Sequence, residues 1–237
     1  DEAGIRPNAV TYNSLVSWTA RHGLISDAFQ LFDEMLQRGI ALDLCSYNIM
    51  ANCFIKAGNI EEANRVFGEI ILQDWVPCLT SFNTMINGFC KSGYVDYALL
   101  FFRKLKQQGM VPDVVTYNVL IDGLCKARRL KSAMVMLREL RSSGCVPSVV
   151  TYTTVLKLCF KLKRFEEGME MLKETRSMGY TFDGFAYCTA VAALIKIGKV
   201  WEAAHLLNRM KEDGIELDLV YYNTLIYLYC KEHKLES

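Results

Sequence analysis

A period of 35 residues runs through the chain without an insertion or deletion. The segments "VTYN" at 10–13, "CSYN" at 45–48, "TSFN" at 80–83 and "VTYN" at 115–118 stand in one register, and "VTYT" at 150–153, "FAYC" at 185–188 and "VYYN" at 220–223 continue it. Their aromatic column is Tyr12, Tyr47, Phe82, Tyr117, Tyr152, Tyr187 and Tyr222. A small-residue column, Ala28, Ala63, Ala98, Ala133, Gly168 and Ala203, keeps the same step. So does a third: Gly39, Asp74, Gly109, Gly144, Gly179 and Gly214. Such a period demands a stack of equal supersecondary units rather than a globule with one centre.

Each unit splits into two helical stretches. The first carries apolar residues at helical spacing, as in Tyr117, Leu120, Ile121 and Leu124. It ends at a short break such as "KAGN" or "KSGY". The second opens on acids (Asp27, Glu61 and Glu62, Asp96, Glu166 and Glu167, Glu202), which suit the positive end of a helix dipole. It closes on the glycine column, which can adopt the left-handed cap conformation. Pro7, Pro77, Pro112 and Pro147 then block continuation. Neither helix can bury its apolar face alone, so the pairs must stack. The expected fold is an all-α, right-handed α-solenoid of antiparallel two-helix repeats, with the aromatic column in its core. Its repeats are placed at 9–43, 44–78, 79–113, 114–148, 149–183 and 184–218. Residues 1–8 read as the end of a preceding repeat and 219–237 as the first helix of a seventh. The chain is therefore expected to be a piece of a longer array.

Composition narrows the chemistry. Half of the residues (51%) are hydrophobic, enough for a continuous core, and the formal net charge is only +1. A nucleic-acid partner would thus have to be held by the placing of charge rather than by its sum. Residues 1–20 lack the pattern of a secretory leader, and no apolar run is long enough to span a bilayer. The nine cysteines form no CxxC pair, which leaves zinc unsupported; small buried thiols are the expectation. His22, His205 and His233 lie in no HExxH or HxE arrangement, and there is no Gly-rich phosphate loop. An enzyme, a metal and a cofactor are not expected.

The unit "VVTYNVLIDGLCKARRLKSAMVMLRELRSSGCVPS" at 114–148 resembles the pentatricopeptide repeat in its 35-residue form. The opening "VTYN", the Lys after "LC" or "FC" and the "G-x-x-P-[DS]" ending carry the resemblance, which covers 9–218 and runs on into 219–237. The Trp and Pro signature of tetratricopeptide repeats is absent. The resemblance implies a single-stranded RNA ligand, running parallel to the repeats and read at one base per repeat by side chains of the first helices. It also implies a mitochondrial or chloroplast setting, with other RNA-processing proteins as further partners.

Three columns then matter. The residue after the aromatic is Asn13, Asn48, Asn83, Asn118, Thr153, Cys188 and Asn223. Asn is a poor helix former, yet its amide offers both donors and acceptors to a base edge; a polar surface or capping group is the competing reading. The residue closing each unit is Asp43, Cys78, Asp113, Ser148, Asp183 and Asp218. Helix capping alone could account for most of it; the resemblance makes it the partner of the reader. Eight residues beyond the reader stand Arg21, Lys56, Lys91, Lys126, Lys161, Lys196 and Lys231, fit to complement a helix dipole or to meet phosphates. Offsets of three, seven and eleven residues put these groups and Ser17, Asn52, Asn87 and Asp122 on one helical face. By resemblance, a fourth column wedges between bases: Val10, Cys45, Thr80, Val115, Val150, Phe185 and Val220.

The reader pairs imply, by the same resemblance, the core 5′-U-Y-U-C-G-N-3′. A scaffold that cradles a peptide or a partner helix is the rival reading. It predicts irregular groove chemistry, whereas this chain repeats Asn and Lys in register.

Overall fold

In the computed structural model the described residues are 7–72, 77–180, 184–196, 198–212, 214, 215, 219, 222, 223, 226 and 230, the side chains of residues 71 and 185 excepted. They form twelve helices of equal length and no strand. These are α1 (Ala9–Arg21), α2 (Ile25–Gln37), α3 (Leu44–Lys56), α4 (Ile60–Leu72), α5 (Leu79–Lys91), α6 (Val95–Gln107), α7 (Val114–Lys126), α8 (Leu130–Ser142), α9 (Val149–Lys161), α10 (Phe165–Ser177), α11 (Gly184–Lys196) and α12 (Val200–Glu212). The fold is the all-α solenoid of antiparallel helix pairs that the period predicts. The chain divides into two compact units, 1–123 and 124–237, with the division inside α7. In the first, α1 packs on α3 and α3 on α5; in the second, α9 packs on α11. First helices thus stack on first helices.

Local chemistry sets the ends of the helices. Asn8 and Asp43 close capping boxes with Thr11 and Ser46, and Ser148 accepts from the Thr151 backbone. The second helices begin on Leu24, Tyr94, Arg129 and Arg164 without a side-chain cap, so their N-termini lean on the acidic first turns where these exist. Gly39, Gly109, Gly144, Gly179 and Gly214 take positive φ at the ends of second helices, as expected. The break between the helices of a pair uses Gly23, Gly58, Gly93 and Gly198 in the same way. In two repeats it uses Arg128 and Lys163 instead, each at φ 60°.

The core follows the columns. Ala28, Ala63, Ala98, Ala133 and Ala203 are completely buried, and so in effect are Tyr12, Phe82, Tyr117, Tyr152 and Tyr187. Phe67, Phe82 and Phe101 meet edge to face, with centroids 5.0–5.1 Å apart from Phe67 to its neighbours. Two members depart from this column: Tyr47 is half-buried and Tyr222 is 50% exposed. Small residues let first helices approach closely: a Cβ on Gly123 would stand 2.5 Å from Cys90 Sγ. The cysteines depart in part from their expected burial. Cys53, Cys90, Cys159 and Cys188 are buried, but Cys45, Cys78 and Cys230 are exposed. The first two of these exposed thiols stand in the wedge column and the unit-closing column.

Candidate nucleic-acid interface

In the first unit, α1, α3 and α5 line a groove of about 730 Å³. Arg21, Lys56 and Lys91 of the basic column stand in its wall, with Cys45 and Thr80 of the wedge column, and Asn48 and Cys78 of the reader pair. Ser17, Asn52 and Asn87, placed on the same face by their helical offset, line it too. Helical periodicity is what brings them together: one polar stripe per first helix, and first helices side by side.

The paired columns meet in space although 30 residues separate their members. Asn13 Nδ2 donates to Asp43 Oδ1 at 3.2 Å, and Asn83 Nδ2 donates to Asp113 Oδ1 at 3.4 Å. Each aspartate is also the N-cap of the next first helix: the backbone N–H of Ser46 donates to Asp43 at 2.7 Å, and that of Thr116 to Asp113 at 2.8 Å. Capping and pairing, two competing readings of this column, are therefore compatible in one carboxylate. Partial burial pushes the Asp43 carboxyl up, but hydrogen bonds from Ser46 and Asn13 outweigh it and hold the group below the ordinary carboxylate range. Asp113 is held down in the same way, by Thr116 and Asn83 against burial. Both are thus ionised near neutral pH and can only accept.

The second repeat differs. Cys78 supplies no carboxylate and makes no side-chain cap to the backbone of α5. Asn48 Nδ2 turns instead to the Ser81 hydroxyl at 3.1 Å. Partial burial raises the Cys78 thiol, but hydrogen bonding, that of the Ser81 hydroxyl foremost, outweighs it and leaves the group below its ordinary pKa. Cys45, across the groove wall, is pushed up by burial and by the nearby Asp43 charge.

Three readers carry a buried polar atom with no hydrogen-bond partner: Asn13 Oδ1, Asn48 Oδ1 and Thr153 Oγ1. Asn13 is 7% exposed and Thr153 5%; Asn48, Asn83 and Asn118 are half-buried, and Cys188 is buried. The wedges Val10, Cys45, Thr80, Val115 and Val150 are exposed, as are Arg21, Lys56, Lys91, Lys126, Lys161 and Lys196. Lys56 Nζ also donates to the Ala20 carbonyl at 2.6 Å, which caps the preceding first helix rather than its own. Asn223 is exposed, and Ser148 is exposed at the start of α9. Asp183, Asp218, Val220 and Lys231 lie outside the described residues, as does the side chain of Phe185. Sequence reading missed the hydroxyls of Ser46, Ser81 and Thr116. Their only signal was the recurring Ser or Thr directly before the aromatic.

Stacked helix pairs with a polar stripe along the first helices define a helical-repeat protein. Its family is given by the repeats themselves: the PPR repeat family matches residues 7–56, 77–126 and 112–161. The pentatricopeptide repeat domain matches 170–232, and the single PPR repeat matches 45–73 and 150–180. The chain belongs to the pentatricopeptide repeat family.

Among solved structures it is similar to the pentatricopeptide repeat protein PPR10 from maize, at 25% identity and a TM-score of 0.68 over 99% of this chain and 38% of that one. PPR10 in complex with an 18-nt psaJ RNA element matches at 24% identity and a TM-score of 0.64, over 93% of this chain and 36% of that one. The PPR domain of Arabidopsis thaliana protein-only RNase P 1 in complex with tRNA matches at 17% identity and a TM-score of 0.57, over 75% of this chain and 94% of that one. No curated protein matches the chain. The chain spans a little over a third of the length of PPR10.

Proposed function

We propose that this chain binds single-stranded RNA in the groove of its first helices and reads about one base per repeat. The observation that carries the proposal is the groove over α1, α3 and α5. In it, the exposed wedges Cys45 and Thr80, the reader Asn48 and three basic residues share one wall in register. That order suits a ligand with a base and a phosphate at every step. The PPR proteins whose structures were solved with RNA have the same fold.

Each group has a part in the reading. The wedges Val10, Cys45, Thr80, Val115 and Val150 are too small to stack strongly, so they contribute at or below the low end of about 1–3 kcal/mol per base. They separate neighbouring bases and leave affinity to the sum over repeats. The readers supply the hydrogen bonds. Asn48, Asn83 and Asn118 are half-buried, which leaves part of each amide open to a base edge. Arg21, Lys56 and Lys91 meet the backbone, with Lys56 already anchored by one bond to α1.

The test is direct. Labelled RNAs containing 5′-UCUCGA-3′, shuffled controls and an extended peptide are titrated against the chain in a filter-binding assay. The programmed RNA should bind best, and Thr153→Asn should move the fifth-base preference from G toward U. Tighter retention of the peptide than of any RNA would favour the scaffold reading. An unchanged fifth base would reject the base assignment for that repeat.

A further inference from the structure

Between each wedge and each aromatic stands one more side chain: Thr11, Ser46, Ser81, Thr116, Thr151, Ala186 and, outside the described residues, Tyr221. These residues cannot touch a ligand where the core closes over them: Ser46 and Ser81 are 0% exposed, and Thr116 is 1% exposed. Their hydroxyls are nonetheless bonded to the reading machinery of the repeat before. Ser81 Oγ accepts from Asn48 Nδ2 at 3.1 Å. Thr116 Oγ1 lies 2.6 Å from Asn83 Oδ1 and 2.7 Å from Asp113 Oδ1. Ser46 Oγ donates to Asp43 Oδ1 at 2.8 Å, and Asp43 in turn holds Asn13.

We propose that this buried hydroxyl is a positioning residue for the reader of the preceding repeat, so that three side chains, not two, set which base edge a repeat accepts. The inference rests on the base-reading function proposed above.

The chemistry is one of donors and acceptors. Uracil presents a donor at N3 and an acceptor at O4; cytosine presents the inverse pair. An amide discriminates between them only while its oxygen and nitrogen are kept from exchanging places. An ionised carboxylate can only accept, so Asp43 and Asp113 draw the NH2 group to themselves and fix the amide. A hydroxyl can donate or accept, so its effect depends on its company. Thr116 has one proton and two acceptor oxygens within 2.7 Å, and that proton ties Asn83 and Asp113 into one unit. Ser81 has no carboxylate beside it, because Cys78 closes that repeat. Asn48 is then partnered by a group that tolerates either orientation, and the second repeat distinguishes U from C less than the third.

The sixth repeat is the natural deletion. Its column holds Ala186, wholly buried and without a hydroxyl. The reader one repeat earlier is Thr153, whose Oγ1 is buried with no partner. Asn13 and Asn48 also carry an unpartnered Oδ1, but their Nδ2 groups are held, by Asp43 and by Ser81; Thr153 has only its hydroxyl, and that is unpartnered.

Two substitutions test the role in opposite directions. Thr116→Val keeps the shape and removes the hydroxyl; Thr116→Ser keeps the hydroxyl. Each is titrated with four RNAs that differ only at the third base of 5′-UCUCGA-3′, and with four that differ only at the first base. Thermal melts monitor the fold. Thr116→Val should lower the U-over-C preference at the third base about fivefold, leaving the first-base preference intact, while Thr116→Ser restores it. Ala186→Ser supplies the missing partner and should sharpen the fifth-base preference by a similar factor. If Thr116→Val weakens every RNA alike, or lowers only the melting temperature, the hydroxyl is a helix cap and the inference falls. The same holds if Ala186→Ser leaves the fifth base unchanged. An unmodified chain with no preference at any base would instead overturn the base-reading function itself, and this inference with it.

Discussion

Asp43 shows what one side chain can carry. The same Oδ1 caps α3 through Ser46 and holds the amide of Asn13. Helix capping by Asp, Ser or Asn is so general that the sequence column alone supported no further role; the bond to Asn13 is visible only once the next repeat is stacked. Cys78 marks the exception. It has no cap bond to the backbone of α5, and its thiol sits below its ordinary pKa in an exposed position on the groove wall. Cys53 and Cys159 are buried and pushed up to about 11. The thiolate is the nucleophile, so Cys78 should react first with iodoacetamide at pH 8, ahead of Cys45, while Cys53 and Cys159 stay protected. Peptide mass spectrometry over a time course measures the order. Equal rates at Cys45 and Cys78 would contradict the hydrogen-bond account of its acidity.

At the scale of the element, the repeat tolerates variation at its turn but records the cost. Gly23, Gly58, Gly93 and Gly198 take the left-handed conformation between the helices of a pair without penalty. Arg128 and Lys163 take it with a Cβ, which costs an ordinary residue about 1–2 kcal/mol. Both are exposed, so replacement loses little packing. Arg128→Gly should therefore stabilise the chain by roughly 0.5–1 kcal/mol, part of the relief being offset by the greater freedom of glycine when unfolded. Chemical denaturation of this variant beside the unmodified chain checks it, and a lower midpoint for Arg128→Gly would refute the strain. The helix breaks themselves were legible in "KAGN" and "KSGY"; that an arginine and a lysine accept the same φ was not. Tertiary packing on both sides of the turn overrides the local preference.

For the whole molecule, the near-zero net charge is the informative number: +1 over 237 residues. If the proposed RNA ligand is held by charge, that charge has to be local, and the basic column is exposed from Arg21 to Lys196 at every described position. Binding should then be strongly dependent on salt although the protein is almost neutral. Replacing Lys91 and Lys126 by Ala should weaken all RNAs alike and reduce the slope of log K against log salt by roughly 0.7 per lost phosphate contact. Titration between 50 and 200 mM salt, about the range over which such slopes are read, measures it. A loss confined to one RNA sequence would mean these lysines read bases. Because no wedge is a strong stacking group, affinity must rise with the number of repeats engaged.

The 35-residue period by itself determined the helix count per repeat, the buried aromatic and alanine columns and the polar face of the first helices. Hydrophobic periodicity and helix-end chemistry are local, and local rules are written in order along a chain. Tertiary structure alone decided that Asn13 meets Asp43, that Asn48 turns to Ser81 in place of Cys78, and that Thr153 is left without a partner. Hydrogen bonds between residues 30 or more apart depend on how one helix pair settles on the next, to a fraction of an ångström.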